Sequence, residues 1–266
     1  GAPNNNNNNN NKSGSSSSIE LDEGLRAASD GDIALLKDLI EKGWKLDARD
    51  RHGSNALDWA AGSGQLEMCK YIVDELKFPP HTKCTTGRQD GRSALHWAAR
   101  NGRINICDWL VKSKGVDIDL PTNDGTTAFH WAIWQSHHQT ARFLVENGAN
   151  PKKINAYGCT AVHWAALAGD LKIFMWLEEL GLDLFRANSQ GHNPLHKAAW
   201  KDRKQVLEWL SSKPEYLTHL KAPDSNGYTP ADIAKLGGHD ELSAWLQRLQ
   251  QPQPQQSGHV STPPPE

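Results

Sequence analysis

The sequence predicts an all-α solenoid of about seven helix-turn-helix units with hairpin turns and disordered ends, and three observations carry that reading. The first is a period: Gly53, Gly91, Gly125, Gly158, Gly191 and Gly227 lie 38, 34, 33, 33 and 36 residues apart. The second is a register. Five residues after each glycine stands Asp58, His96, His130, His163, His196 or Asp232, followed by small residues such as Ala60-Ala61, Ala98-Ala99 and Ala165-Ala166. The third is an apolar stripe further on, as in INICDWLV at 104–111 and LKIFMWL at 171–177, spaced as one face of a helix. A fixed period of this length marks stacked units, none of which can bury its apolar face alone.

The elements follow in chain order. Residues 1–18 are almost wholly Asn and Ser, with an unbroken run from Asn4 to Asn11, and cannot bury enough apolar surface to offset chain entropy; they are expected to be disordered. The folded domain is expected over 19–249. It opens with LDEGLRAASD and Gly31, a unit without a turn glycine that reads as a cap. Each later unit reads as a glycine turn, a short alanine-faced helix, a break and a more apolar second helix. Gly64, Gly102, Gly169 and Gly238 stand at the break, where a left-handed backbone costs glycine little. The first interval is long because Pro79-Pro80 ends a helix and forces an extended connection.

The unit over 123–154 departs from the pattern: Ser136 replaces the break glycine, His138 replaces an apolar residue, and Thr140-Ala141 replace bulkier pairs. It is therefore expected to be the least stable internal unit. In the last unit Asp240 and Ser243 take positions that are apolar in most neighbours, which suits the outer face of a terminal cap. Residues 250–266, rich in Gln and Pro, are expected to be a second disordered tail.

Composition narrows the functional classes. With a net charge of -2 the chain has no strong field to draw it onto nucleic acid or an anionic membrane, so neither is an expected partner. Cys69, Cys84, Cys107 and Cys159 show no CxxC spacing and read as reduced thiols, which suggests the cytosol or nucleus. The chain lacks a phosphate-binding glycine loop, an HExxH and a GxSxG elbow. Neither catalysis nor a cofactor or metal is expected.

The segments GRSALHWAA at 91, GCTAVHWAA at 158, GHNPLHKAA at 191 and GYTPADIA at 227 resemble the G-x-T-P-L-H-x-A-A signature of the ankyrin-repeat family, and the resemblance covers 19 to about 249. It implies a right-handed stack whose turns project as fingers and whose concave surface binds other proteins. Two readings of function follow: a non-enzymatic protein-interaction module, or a regulatory segment of a larger enzyme or channel whose catalytic part lies outside this chain.

The recurring histidines occupy one repeat position, and packed helices stand roughly 10 Å apart, too far for shared metal ligation at about 2 Å. Each is expected to bond turn backbone and tie one unit to the next. The adjacent Trp59, Trp97, Trp131 and Trp164, and the second-helix Trp109, Trp176, Trp209 and Trp245, are expected to pack in the core. His137-His138 is expected to be a solvated pair.

Family analogy places the partner-binding face at the residues flanking each turn glycine and those after the alanine pair. These include Gln89, Asp90, Arg92, Arg100, Asp124, Tyr157, His192, Lys201 and Tyr228. Trp134, Leu167 and Trp200 share one offset in three successive units, and a row of large apolar residues there would mark an interaction site. Lys197, Lys201, Arg203 and Lys204 form a basic cluster beside Trp200.

Overall fold

A computed structural model describes residues 22–84 and 91–251. The expected tails, and the segment 85–90 with Gln89 and Asp90, lie outside the described residues. The units are α1 (Glu23–Asp30) with α2 (Ile33–Glu41), α3 (Ala56–Ser63) with α4 (Leu66–Lys70), α5 (Ala94–Arg100) with α6 (Ile104–Asp108), and α7 (Ala128–Trp134) with α8 (His138–Glu146). Then come α9 (Ala161–Ala168) with α10 (Leu171–Glu179), α11 (Pro194–Trp200) with α12 (Lys204–Leu210), the lone α13 (Tyr216–Lys221), and α14 (Pro230–Leu236) with α15 (Asp240–Gln250). The second helices α4 and α6 continue as π-helical turns, Tyr71–Glu75 and Trp109–Ser113. No strand occurs among the described residues; an isolated bridge joins Lys83 and Ser93.

First helices stack on first helices through fully buried alanines, Ala60, Ala98, Ala132, Ala165 and Ala198, whose small side chains allow close approach. Second helices cover them from one side with Leu36, Met68, Ile106, Leu144, Phe174 and Leu207. Cys69 and Cys107 sit in this layer, and burial pushes both thiols up to about 12, so they act as small apolar side chains.

Each first helix from α3 onward begins with a reciprocal cap. The backbone N–H groups of Ser93, Thr127, Thr160 and Asn193 donate to Nδ1 of His96, His130, His163 and His196 at 3.1, 3.2, 3.1 and 3.2 Å. With Nδ1 accepting, the proton sits on Nε2, which donates across to the next unit: His130 to the Lys153 carbonyl at 3.2 Å, His163 to His192 at 3.0 Å and His196 to Tyr228 at 3.1 Å. At His96 the same nitrogen faces the Thr126 and Leu120 backbone without a well-formed bond. Burial holds all four imidazoles neutral, down to about 4.

The turns stack as well. Asp50, Asn155, Asn188 and Asp224 each accept two backbone N–H groups of their own turn. Neighbouring turns are joined by Ala156 N–H to the Asp124 carbonyl at 2.6 Å, Ser189 to Tyr157 at 3.0 Å and Ser225 to Gln190 at 2.9 Å.

A third ladder runs along the breaks. The residue after each break reaches back to the carbonyl closing the preceding first helix: Gln65 to Ser29 at 3.2 Å, Arg103 to Gly62 at 3.2 Å, Arg203 to Leu167 at 3.0 Å and His239 to Trp200 at 3.2 Å. Asp170 holds this position in its unit and cannot donate; it caps α10 and accepts from His138 Nε2 at 2.8 Å.

Two expectations are corrected, and one helix is added. His137-His138 is not a solvated pair, since His138 bonds Asp170 and the His137 ring lies against Gly102. Ser243 is buried rather than on the outer face, its hydroxyl donating to the Ala231 carbonyl at 2.8 Å; Asp240 is exposed as expected. The longer final interval holds α13, anchored by buried Tyr216 and Leu220, which the sequence reading missed because six residues carry too short a period.

Candidate partner-binding surface

The largest correction concerns Trp59, Trp97, Trp131 and Trp164. All four are half-buried on the face built by the turns and first helices rather than enclosed; Trp59 and Trp164 still pack against the core from that side. In α5 the buried residues are Ala94, Leu95, His96, Ala98 and Ala99, which leaves Trp97 and Arg100, three residues apart, on the remaining stripe. The same spacing pairs Trp131 with Trp134, Trp164 with Leu167, and Lys197 with Trp200. Of the second-helix tryptophans, Trp109 and Trp176 are buried and Trp209 and Trp245 half-buried.

Trp131, Trp134 and Trp164 form a three-ring cluster, with centroid separations of 5.3, 5.5 and 6.2 Å. Arg92, from the turn before α5, sets its guanidinium between two units, 4.7 Å from the Trp97 ring and 4.8 Å from the Trp131 ring. Arg100 lies over the same rings at 5.4 and 5.9 Å. Such cation-π contacts are worth about 0.5–2 kcal/mol each, depending on desolvation. Burial and the charge of Arg92 both disfavour the Arg100 cation. Among the described residues, the Nε1 groups of Trp97, Trp131 and Trp164 and Nε of Arg100 are buried donors without an acceptor.

Beside this cluster lies a groove of about 1120 Å³, lined by Trp59, Trp97, Arg51, Arg92, Arg100, Arg103 and the turn from Asp50 to Ser54. Asp50 is engaged there, its Oδ2 accepting from Trp59 Nε1 at 3.2 Å. Asp58 takes the place of the histidine of other units. Its Oδ2 accepts from Asn55 N–H at 3.1 Å and the Cys84 thiol at 3.7 Å, whereas Oδ1 is buried without a partner among the described residues. Burial pushes its carboxyl up to about 7.

The other predicted positions are spread along the face. Tyr157, Trp200 and Tyr228 are exposed, and so is Lys201; Leu167 is half-buried. Asp124 braces its own turn through Thr126 N–H. His192 is held between Asp224 Oδ2 at 2.9 Å and Lys197 Nζ at 3.1 Å. Trp134 turns toward Trp131 and Trp164, and Trp200 stands apart from that cluster as an exposed ring. The basic cluster is partly engaged, with Lys197 on His192, Arg203 on the Leu167 carbonyl and Lys204 3.8 Å from Glu208.

Among the described residues, no helix is long and apolar enough to cross a membrane, and no three His, Cys, Asp or Glu converge as a metal site.

Comparison with known proteins agrees with this architecture. The family profile for ankyrin repeats (3 copies) matches residues 72–155, and that for ankyrin repeats (many copies) matches 25–73 and 135–178. The chain is similar to ankyrin repeat protein FPV022 of Fowlpox virus, 27% identical over 119 residues, covering 45% of this chain and 19% of the relative. It is similar to 26S proteasome non-ATPase regulatory subunit 10 of Dictyostelium discoideum, 37% identical over 62 residues, covering 23% of this chain and 27% of the relative. An L-asparaginase of Dirofilaria immitis is 28% identical over 160 residues, 49% of this chain and 27% of the relative. The chain thus spans under a third of the length of these relatives. With the period, the reciprocal caps and the matched profiles in agreement, the chain belongs to the ankyrin-repeat family.

Proposed function

We propose that this chain is a non-enzymatic interaction module that binds a protein partner on the concave face formed by its turns and first helices. Ankyrin repeats mediate protein-protein interaction in general. The observation that carries the finer reading is the concentration of half-buried tryptophans, arginines and unpaired donors on that one face. Tryptophan and arginine dominate binding energy where they cluster at an interface. The four free cysteines support a reducing compartment, cytosol or nucleus.

Affinity capture with the intact chain tests this, comparing wild type, Trp134→Ala/Trp200→Ala and Met175→Ala. Met175 is exposed on α10, away from the proposed face. A partner kept by wild type and Met175→Ala and lost by the folded double variant is the expected result. A partner lost only with Met175→Ala would move binding to the second helices.

A second reading, a regulatory segment of a larger enzyme, draws support from the similarity to an L-asparaginase across 27% of that protein. An enzymatic domain found contiguous with this chain in the native protein would favour it.

A further inference from the structure

Where four preceding first helices carry Trp59, Trp97, Trp131 and Trp164, α11 carries Lys197. Lys197 is half-buried, and its Nζ donates to His192 Nδ1 at 3.1 Å. The opposite ring nitrogen, Nε2, donates to the Asp224 carboxylate at 2.9 Å, and Asp224 is buried in the next turn. An Nε2–H held this way leaves Nδ1 as the lone-pair nitrogen, facing the amine. Burial pulls the Lys197 ammonium below its ordinary value, against the opposing pull of Cys159. Burial and the Lys197 charge likewise hold the His192 imidazole below its own, despite Asp224. Amine, base and orienting carboxylate thus stand in the order that activates a nucleophile.

A second nucleophile stands beside the first. Cys159 follows the turn glycine of the preceding unit, as His192 does in its own, and is half-buried, with Asn188 Nδ2 donating to its sulfur at 3.3 Å. Its thiolate form attracts the Lys197 cation, so the two groups lie within range of each other's charge.

We propose that Cys159 and Lys197 form an acceptor site for small acyl thioesters, the thiol taking the acyl group first and the lysine amine keeping it. The Cys159 thiolate attacks the acyl carbon, a new C–S bond forms, the old one breaks, and the leaving thiolate takes up the proton Cys159 lost. Neutral Lys197 Nζ then attacks the same carbon. The C–N bond forms, the C–S bond breaks, the nitrogen's proton passes to His192 Nδ1 and on to the departing Cys159 sulfur, and an amide remains. A thioester suits the pair because thiol exchange conserves it and transfer to an amine runs downhill. The site is filled once and not regenerated, so the chain is an acceptor and not a catalyst. Acylation removes a positive charge three residues from exposed Trp200, whichever surface a protein partner uses.

The test is incubation of the full chain with the thioacetate of N-acetylcysteamine, followed by peptide mass mapping with and without neutral hydroxylamine, which cleaves thioesters and spares amides. Lys197 should acetylate at least about tenfold faster than Lys201, the exposed lysine four residues on, a modest share of what a positioned base supplies. Cys159→Ala and His192→Gln should each slow Lys197 by about tenfold and leave Lys201 unchanged, with circular dichroism checking each fold. In Lys197→Arg a hydroxylamine-labile acetyl group should accumulate on Cys159. Acetylation of Lys197 no faster than that of Lys201 would overturn the proposal. So would an unchanged Lys197 rate in either Cys159→Ala or His192→Gln, or a Cys159 that stays unacetylated in Lys197→Arg.

Discussion

Two side chains at the same repeat position respond to pH in opposite directions. Buried Asp58 has its carboxyl raised to about 7, so between about 4 and 7 the native state binds more protons than the unfolded chain and stability falls as pH rises. Asp58→Asn should stabilise the protein by roughly 1–4 kcal/mol above pH 7, with the difference vanishing below about pH 4, as read by urea unfolding across that range. His163, held down to about 4, does the reverse: the unfolded chain binds the extra proton between about 6.5 and 4, so its contribution is present at neutral pH and lost on acidification. His163→Gln should cost about 1–3 kcal/mol at pH 7 by breaking the bond to the His192 carbonyl, and should flatten the acid dependence. An acid-independent difference between wild type and His163→Gln would contradict this assignment.

Within one element, the break residue decides how easily the first helix ends. Gly102 and Gly169 have positive φ at this point, and Ser136 and Asp202 are forced into the same left-handed conformation at φ 58 and 52. Ser136→Gly should therefore stabilise by about 0.5–1 kcal/mol, a gain limited by the added freedom of the unfolded chain. Thermal or urea denaturation reads it directly. Gly158 shows the opposite constraint: its φ is +73 and an added Cβ would lie 2.8 Å from the Ser189 backbone nitrogen, the group that bonds the Tyr157 carbonyl. Gly158→Ala should cost more than about 1 kcal/mol and loosen the stacking of two turns. In the sequence, the break position was legible from its glycines, but the equivalent role of Asp202 was not, because nothing in its residue type demands a left-handed backbone.

For the molecule as a whole, stability is the sum of the units and of the contacts between neighbours. The second helix α8 buries Thr140, Ala141 and Leu144, whereas α10 buries Ile173, Phe174, Trp176 and Leu177. Amides of α8 should therefore exchange faster than those of α10 in native-state hydrogen exchange, and equal protection would refute the weak-unit expectation. The repeat period and the glycine register by themselves determined the stack of units, the histidine bonds to turn backbone that tie one unit to the next, and the close approach of helices through alanines. These depend on position within a unit, which the chain repeats. That the same histidines cap the first helices came from the structure.

Only the tertiary structure decided where the tryptophans went. Their three-residue spacing to Arg100, Trp134 and Leu167 already placed them on one helix face, but not which face the neighbouring helices would cover. Arg92 lies in one turn, yet its guanidinium is set between rings of two units, a contact that exists only once those units are stacked. A period fixes what each unit is; packing between units fixes which of its side chains remain for a partner.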